Sequence, residues 1–280
     1  MPTLPREQPE PVRPHQARRT AESFGTDAQR YDQARPGYPD DLVARIAARS
    51  PGPDVLDVGC GTGIAARQFQ AVGCTVLGIE PDARMAGLAQ ARGLRVEVAA
   101  FEAWEPAGRA FDTLIAAQSW HWVDPAVGAL KAAQVLRPGG RLAIFGHVFE
   151  PPVEVAEPFA AAYRRVAPDS PFAGQPAQRP LEMYRAGYKK IADTIRDTGQ
   201  FDEPEQWRFD WERSYTRDQW LDLLPTTGAL TRLGPDQLAE VLDAVGRAVD
   251  ALGGGFTMQY TTLATTAVRA GIPQPQPVPA

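Results

Sequence analysis

The stretch VLDVGCGTG, residues 55–63, joins a short apolar run to three glycines at alternate positions. Such a run, followed from Ile64 by a helix-compatible segment, predicts a strand, a tight turn and the N-terminus of a helix. Turns of this kind bind nucleotides in many folds, because backbone amides at a helix N-terminus face the ligand. The dinucleotide fingerprint is G-x-G-x-x-G, whereas this turn reads G-x-G-x-G and has Ile64 where the third glycine would fall. A pyrophosphate is therefore not the obvious ligand.

Strand-like and helix-like segments alternate after this turn. Helical patterns occur in IAARQFQAVG, PDARMAGLAQARG and DPAVGALKAAQVLRPGG, and strand patterns occur in TVLGIE, LRVEVAA, FDTLIAA and RLAIFGHVF. Short connections between such units predict a doubly wound, parallel sheet with right-handed crossovers. The chain is therefore expected to have an α/β fold.

Further segments flank this core. Leu42, Val43 and Ile46 lie at helical spacing and predict an N-terminal helical arm. Beyond Glu150 the alternation stops, and a Pro- and Ala-rich stretch leads to a helical pattern, which we interpret as a lid inserted over the sheet. QWRFDWERSY and FTMQYTTLATTAVR read as strands, separated by the amphipathic helix PDQLAEVLDAVGRAVDALGGG. The predicted division is a disordered tail at 1–20, the arm at 21–50, a cofactor-binding core at 51–149, the lid at 150–200, the C-terminal part of the sheet with its helices at 201–270, and a second disordered tail at 271–280.

The composition argues against several classes of function. The 280 residues are 44% apolar, and the net charge of −5 comes from well-mixed charges, which indicates neither a nucleic-acid surface nor a polybasic membrane patch. The first residues lack the apolar segment of a signal peptide, and no window approaches the roughly 18 apolar residues of a membrane span. We expect a cytoplasmic protein without nucleic-acid or membrane partners, and the sequence leaves open whether it forms a homo-oligomer.

Cysteine content limits the remaining chemistry. Cys60 and Cys74 are too few for a disulfide framework or a zinc cluster. Cys60 lies within the glycine turn, where a small side chain is needed. We expect no metal site.

The order of these motifs resembles that of the class I S-adenosylmethionine-dependent methyltransferases. VLDVGCGTG resembles their first motif, TVLGIEPD their acidic second strand, and FDTLIAA with VLRPGGRLAI their fourth and fifth strands. The arm sequence YDQARPGYPDDLV further resembles the small-molecule branch, which includes enzymes like the trans-aconitate and ubiquinone-biosynthesis methyltransferases. The resemblance covers residues 54–148 and implies a Rossmann-like, seven-stranded, mostly parallel sheet with an antiparallel last strand.

This resemblance implies S-adenosylmethionine as the cofactor, and the residue types suit that molecule. It carries an adenine, a ribose diol, an amino acid zwitterion and a sulfonium cation, but no phosphate. Glycines in the turn let the main chain approach the amino acid part, Asp57 is placed to orient the ammonium, and Glu80 is placed to accept both ribose hydroxyls. The predicted cofactor contacts are Tyr31, Asp57, Gly59, Cys60, Gly61, Gly63, Glu80, Pro81, Phe101, Glu102, Gln118 and Trp120.

Adenine recognition departs from the family pattern. Members commonly show an Asp, a small residue and a Glu after the third strand, whereas Ala100 stands here where that Asp is usual. We expect the Phe101 backbone and apolar walls to hold the adenine ring.

The loop QSWHWVD, residues 118–124, follows the fourth strand and lies at the carboxyl edge of the predicted sheet, where such folds bind ligands. Gln118 is expected near the methionine part of the cofactor. The tryptophans of this loop can wall the sulfonium, since aromatic faces attract cations by about 0.5–2 kcal/mol. His121 in the loop and His147 in the fifth strand are the candidate general bases, and a structural role is the alternative for each.

The sequence thus predicts methyl transfer to an O or C atom of a small-molecule acceptor, mainly by alignment and water exclusion, which contribute up to about 7–11 kcal/mol. One alternative is a methyltransferase-fold protein that binds the cofactor but acts as a cyclase or partner module. Another is a nicotinamide-dependent dehydrogenase, which would share the glycine turn and Glu80. A nucleic-acid methylase is disfavoured, because QSWHW replaces the acid-or-Asn/Pro/Pro/aromatic tetrad of that class.

Overall fold

A computed structural model of the protein describes residues 23–170 and 180–271. Its helices are α1 (Ala28–Ala34), α2 (Asp40–Ala48), α3 (Ile64–Ala71), α4 (Ala83–Ala91), α5 (Pro125–Val135), α6 (Val153–Val166), α7 (Pro180–Asp197), α8 (Arg217–Leu223) and α9 (Pro235–Ala251). Its strands are β1 (Asp54–Val58), β2 (Thr75–Glu80), β3 (Arg95–Val98), β4 (Phe111–Ala117), β5 (Leu136–Glu150), β6 (Glu205–Thr216) and β7 (Gly255–Val268). The two predicted tails, apart from Gly271, lie outside the described residues.

The strands form one sheet in the order β3-β2-β1-β4-β5-β7-β6. β1 pairs in parallel with β2 and β4, whereas β7 runs antiparallel to both β5 and β6. The predicted mostly parallel, seven-stranded sheet with an antiparallel last strand is therefore confirmed. The chain leaves β1 towards β2 on one side and later returns to β4 on the other, and such a switch point is where open α/β sheets bind ligands.

Side chains alternate along β1 and enter two separate cores. Val55 packs in a cluster with Ile46 of α2 and Phe69 of α3. Leu56 packs on the opposite face of the sheet, in a cluster that includes Ile195 of α7. Because both faces are covered, the strand needs apolar residues at successive positions, which is the run that the sequence shows.

The start of β5 differs from the prediction. β5 begins at Leu136 rather than at Arg141, so it contains the RPGG segment that the sequence pattern assigned to a helix end. Leu136 pairs with Phe111 before a shift in register, and Gly139 within the shift has a φ of 78°. A bulge of this kind absorbs residues that would otherwise end a strand.

The Pro- and Ala-rich segment after Glu150, where the predicted alternation of strands and helices stops, contains α6. Val155 and Tyr163 of this helix are buried against Val241 and Val245 of α9. Alanines on several faces hide the helical period in the sequence, and Pro158 in the interior is a residue that normally argues against a helix. Tertiary packing against α9 supplies the stabilisation that the local pattern lacks.

Candidate active site

The turn after β1 brings its glycines close to neighbouring backbone. Gly59, Gly61 and Gly63 have φ values of 66°, 57° and 86°, which L side chains rarely adopt. The Gly59 amide donates to the Ile79 carbonyl at 2.8 Å, and a Cβ added to Gly59 would lie 2.6 Å from the Cβ of Ser119. Gly59 is therefore required by the protein's own packing.

Gly61 has more open surroundings than Gly59. The atom nearest to a Cβ added there is the Cε of Met85, at 3.5 Å, which is an ordinary contact distance. Its amide donates to Oε2 of Glu80 at 2.9 Å. The space above Gly61 is thus free for a ligand that approaches the main chain.

The variant Gly59→Ala is expected to lower the free energy of unfolding by about 2–4 kcal/mol. A Cβ is unfavourable at a left-handed φ, and it would overlap the side chain of Ser119. Urea denaturation measures this loss. The matched control is Gly73→Ala, since Gly73 also has a positive φ, 92°, but no atom within 4 Å of an added Cβ. The control should lose only about 1–2 kcal/mol, and equal losses in the two variants would show that packing against Ser119 is unimportant.

Asp57, near the carboxyl end of β1, is a buried carboxylate without a hydrogen-bond partner. Its exposure is 0%, and neither carboxylate oxygen makes a hydrogen bond with a described residue. Burial, and to a lesser extent the nearby Glu80 carboxylate, raise the pKa of Asp57 to about 8, and the nearby Ala66 amide, which lies outside hydrogen-bonding geometry, opposes this rise only in part. Burying such a group unpaired costs free energy. Its position indicates a site that a cation or a hydrogen-bond donor completes.

Glu80 ends β2 beside the glycine turn. Its Oε2 accepts from the Gly61 amide and its Oε1 from the Asp82 amide, each at 2.9 Å. Burial raises the pKa of Glu80, and these two amide bonds oppose the rise. A carboxylate offers about four lone-pair positions, so each oxygen keeps the capacity to accept another donor. The carboxylate is therefore fixed in orientation and still able to bind a diol.

Gln118 holds the loop after β4 against β5. Its φ is 58°, a value that is uncommon outside glycine and that occurs at functional sites. Its amide donates to the Phe145 carbonyl at 2.8 Å, and its Oε1 accepts from the His147 amide at 2.7 Å. A Cβ on Gly146 would lie 2.5 Å from this Oε1 and 2.8 Å from the Tyr188 hydroxyl. The missing side chain at Gly146 makes room for both groups.

Other predicted cofactor contacts form a wall on the β3 side of the loop. Phe101 and Trp120 are buried, with ring centroids 6.3 Å apart. Glu102 accepts from the Asp124 amide at 2.8 Å, so it ties the turn after β3 to the start of α5. Ala100 precedes this wall and offers no polar side chain to an adenine.

Cys60, Pro81 and Tyr31 lie around the glycine turn. Cys60 is buried, and burial raises the pKa of its thiol, so it is not a reactive group. Pro81 is exposed directly after Glu80. Tyr31 is half-buried on α1, and its ring centroid lies 6.1 Å from that of Phe24 in an edge-to-face contact.

The arm is fixed to the glycine turn through Asp32, a residue that sequence reasoning missed. Its buried carboxylate pairs with Arg67 at 2.7 Å and with Arg92 at 2.9 Å. Arg67 also donates to the Thr62 carbonyl within the turn, at 2.7 Å. No local pattern marks Asp32, because its partners come from α3 and from the end of α4.

The variant Asp32→Asn is expected to destabilise the protein by about 1–3 kcal/mol, since it leaves two partly exposed arginines without their buried partner. Hydrogen exchange should quicken in residues 28–34 more than in the sheet. The control Asp222→Asn removes an exposed pair of the same arm, Arg30–Asp222 at 3.6 Å, and should change stability by less than about 1 kcal/mol. Unchanged exchange in residues 28–34 would rule out this role of Asp32.

The two candidate bases lie on different elements, His121 in the loop after β4 and His147 on β5, and they are not hydrogen-bonded to each other. His121 is exposed, and its ring centroid lies 4.5 Å from that of Trp122. His147 is buried on β5, with Nδ1 at 3.0 Å from Oγ1 of Thr262, and burial lowers its pKa to about 3. The imidazole of His147 is therefore neutral at pH 7 and binds protons weakly.

Ring side chains pack around one another next to Gly146, and we call this group the tyrosine cluster. Its members are Tyr38, His147, Tyr184, Tyr188, Trp211 and Tyr260. The centroids of the stacked His147 and Tyr38 rings lie 4.4 Å apart, and those of Trp211 and Tyr260 lie 4.2 Å apart. Tyr184 is 37% exposed. Sequence reasoning missed the cluster, although Tyr184 and Tyr188 are four residues apart and share a helix face.

Within residues 23–170 and 180–271, no group of three or more His, Cys, Asp or Glu side chains is arranged to hold a metal ion. No helix in this part of the chain combines the length and the apolar character that crossing a membrane requires.

Comparison with known sequences gives one family. A family profile described as a methyltransferase domain matches residues 31–177, just over half of the 280-residue chain. An uncharacterized methyltransferase of Mycobacterium bovis is 36% identical over 128 residues, which are 44% of this chain and 51% of that protein. A ubiquinone biosynthesis O-methyltransferase of Rhizobium etli is 30% identical over 125 residues, 40% of this chain and 50% of that protein. The chain thus spans about half the length of these curated relatives.

Comparison with solved structures supports the same fold. A proposed type II methyltransferase from Anaeromyxobacter dehalogenans superposes with a TM-score of 0.62 at 24% identity, covering 85% of this chain and 99% of that one. At this identity the likeness concerns the arrangement of the strands and helices.

Proposed function

This chain belongs to the methyltransferase domain family, and from that premise we propose that it binds S-adenosylmethionine and transfers the methyl group to an O or C atom of a small molecule. The observation that carries the proposal is the buried, unpaired Asp57 beside the glycine turn, with Glu80 one strand away. The relatives support the acceptor class, since one is by name an O-methyltransferase of ubiquinone biosynthesis.

The residues around the turn fit S-adenosylmethionine. Asp57 would face its ammonium, the open backbone at Gly61 its amino acid part, and the fixed Glu80 carboxylate its ribose diol. Phe101 and Trp120 would supply the apolar wall for the adenine. The turn reads G-x-G-x-G rather than the dinucleotide fingerprint G-x-G-x-x-G, which weighs against the nicotinamide alternative.

When bound, S-adenosylmethionine supplies an electrophilic methyl on a sulfonium sulfur. Held by Asp57, Gly61 and Glu80, it would pass this methyl to the acceptor atom, and the acceptor's proton would leave to water or to a base. The chain's part is alignment and water exclusion, by the arm, the loop after β4 and α7, which contribute up to about 7–11 kcal/mol.

A histidine acting as general base would add to the rate contribution of alignment and water exclusion. General bases contribute about 10²–10⁴-fold, most when their pKa lies near the working pH. Burial lowers the pKa of His147 to about 3, which places it at the lower end of that range, whereas His121 is exposed to solvent. His147 also contacts Tyr38, Trp211 and Tyr260, so it is the more structural of the two.

Calorimetry with S-adenosylmethionine, S-adenosylhomocysteine and NAD tests the cofactor, and formation of S-adenosylhomocysteine with a panel of hydroxylated small molecules tests the reaction. We expect binding of the first two compounds, no binding of NAD, and turnover with at least one acceptor. Binding without turnover on the whole panel would favour the cyclase or partner-module alternative. Absence of binding by either sulfur compound would refute the proposal.

A base role of His121 predicts that His121→Ala loses most of its turnover, about 10-fold or more, while its affinity for S-adenosylhomocysteine is retained. Turnover is measured at saturating cofactor, and His147→Ala serves as the comparison. Unchanged turnover in His121→Ala would discard His121 as the base and leave alignment as the whole contribution.

A further inference from the structure

β6 is the outer strand of the sheet, and its second edge has no strand beside it in the described part of the chain. It comes last in the strand order and pairs with β7 alone. This pairing continues without a shift in register over all 12 residues of β6. Natural sheets commonly protect a free edge by keeping its strand short, by a proline or by a bulge. β6 uses none of these devices.

The backbone groups at this edge come from alternate residues of β6. The Arg217 amide, which follows the strand, donates to the Gly254 carbonyl at 2.9 Å, in register with the ladder between β6 and β7. In an antiparallel ladder alternate residues direct both N–H and C=O to the partner strand, so the odd-numbered residues of β6 bond to β7. The residues that direct these groups away from β7 are therefore Gln206, Arg208, Asp210 and Glu212.

The side chains along β6 carry charges of both signs. Arg208 and Asp210 are 44% and 58% exposed and pair with each other at 2.8 Å within the strand. Glu205, near one end, is 46% exposed and accepts from Arg49 at 3.0 Å, and its carboxylate keeps lone pairs for another donor. Arg213 lies near the other end. β6 contains no lysine, the residue that most often makes a free edge repulsive.

One antiparallel register of β6 with a second copy of itself brings opposite charges together. In a symmetric pair with its two-fold axis at Phe209, residues at equal distances before and after Phe209 face each other. Arg208 then faces Asp210 of the second copy, and Glu205 faces Arg213 of the second copy. The symmetry makes each of these contacts occur twice. Opposite charges that face each other across strands are stabilising.

The adjacent registers lack this complementarity. An axis at Arg208 places that residue against its own copy, and an axis at Asp210 does the same for the carboxylate, so like charges meet in both. The axis at Phe209 also places Trp207 opposite Trp211 and Phe209 opposite itself. These pairs exchange no backbone hydrogen bonds, so their side chains come close together, and aromatic pairs across strands are stabilising.

We propose that β6 pairs antiparallel with β6 of a second copy of this chain, about a two-fold axis at Phe209, so that the two sheets become one continuous sheet. The outward amides and carbonyls of each strand bond to those of the other. The contacts of Arg208 with Asp210 and of Glu205 with Arg213 fix the register. The new interface lies at the edge of the sheet remote from β1 and β2, so this inference does not depend on the proposed function.

The test uses two charge reversals, Arg208→Asp and Asp210→Arg, and measures association by sedimentation over a range of concentrations. We expect the natural chain to form a dimer. Each reversal should raise the dissociation constant about tenfold or more, because like charges then meet twice across the axis. An equimolar mixture of the two variants should form a mixed dimer about as tightly as the natural chain, because opposite charges face each other again.

The mixture separates contacts between copies from contacts within one strand. The ion pair between residues 208 and 210 of a single strand stays broken in both variants, so it cannot produce the recovery. The matched control is Arg247→Asp, which makes the same charge change in the exposed Arg247–Asp243 pair of α9. Its association should equal that of the natural chain.

Amide hydrogen exchange of the natural chain needs no variant. The amides of Arg208 and Asp210 should exchange fast in dilute solution and slowly at concentrations where the dimer forms. The amides of Trp207 and Phe209 bond to β7 in the single chain, so they should be protected at both concentrations.

Four results would overturn the inference. They are a natural chain that stays monomeric up to its solubility limit, a dimer that survives in both charge reversals, a mixture that associates no more tightly than either variant alone, and exchange at Arg208 and Asp210 that does not depend on concentration. The last result decides the question even where a charge reversal fails to fold. None of these measurements includes S-adenosylmethionine, so a failure of the proposed function leaves them unaffected.

Discussion

The variant Asp57→Asn is expected to be more stable than the natural chain and to bind S-adenosylmethionine about 10–100-fold more weakly, the usual worth of a hydrogen bond to a charged group. Asparagine keeps the shape of Asp57 but removes a carboxyl that must take up a proton when the chain folds at pH 7, which costs free energy. At pH 7 we expect a gain of about 1–4 kcal/mol in the free energy of unfolding. Thermal denaturation and calorimetry measure the two effects.

The pH dependence of this variant follows from the raised pKa. Asp57 has a pKa of about 8 when folded and 3.8 as its ordinary value, so the folded state binds more protons between these limits. The stability contributed by this group is complete below about pH 4 and is lost as pH rises towards 8. The stability difference between Asp57→Asn and the natural chain should therefore grow from pH 4 to pH 8 and level off above that.

Cofactor affinity has the opposite trend with pH. A bound cation favours the ionised form of Asp57, so the empty site must release a proton when S-adenosylmethionine binds below about pH 8. Affinity in the natural chain should increase with pH up to that value, and the measured binding enthalpy should change with the ionisation enthalpy of the buffer. Asp57→Asn should lack this component.

Asp54→Asn is the matched control for Asp57→Asn. Asp54 begins the same strand, is partly exposed and pairs with Arg137 at 3.0 Å. Its replacement should alter stability by less than about 1 kcal/mol and leave cofactor affinity unchanged. A cofactor affinity equal to that of the natural chain in Asp57→Asn would remove Asp57 from the site.

The variant Glu80→Gln is expected to weaken S-adenosylmethionine binding by about 10²–10⁴-fold, since two hydrogen bonds from the ribose to a carboxylate are worth about 3–6 kcal/mol together. Glutamine has similar volume, but its amide nitrogen cannot accept from the Gly61 or Asp82 amide as a carboxylate oxygen does. The orientation of the group is lost together with its charge. Calorimetry at several cofactor concentrations gives the affinity.

Glu97→Gln provides the comparison on the neighbouring strand. Glu97 of β3 pairs with Ile79 in register and binds Arg109 at 2.5 Å on the partly exposed side. We expect its replacement to change cofactor affinity less than threefold, because the side chain is committed to Arg109 and Trp104. Similar losses in Glu80→Gln and Glu97→Gln would mean that the effect is structural.

Sequence reasoning predicted the parts of the fold that local patterns determine. The strand, glycine turn and acid around Asp57, Gly61 and Glu80 are each encoded within a few residues, so their placement at one sheet edge followed from the α/β topology. The predicted start of β5 at Arg141 was wrong, because Leu136 joins the strand by pairing with Phe111 of β4 before a shift in register that no local pattern reports. The roles assigned to individual site residues stay predictions.

The missed features depend on contacts between distant segments. Asp32 becomes buried only because Arg67 and Arg92 converge on it, and no spacing in the sequence reports that convergence. The tyrosine cluster contains side chains from the arm, α7, β5, β6 and β7. In the sequence, aromatic residues scattered in this way cannot be distinguished from ordinary core residues, because the order of the strands in the sheet is not yet known.

The double pairing of Asp32 makes ionic strength a control on access to the site. The arginines that hold it are 31% and 40% exposed, so mobile ions reach them, and at physiological ionic strength screening acts over about 8 Å. Added electrolyte weakens the attachment of the arm to the glycine turn, whereas the apolar packing of the buried sheet is unchanged. In the proposed function the arm covers the cofactor site, so departure of the demethylated product is expected to accelerate as electrolyte is added, while the chain stays folded.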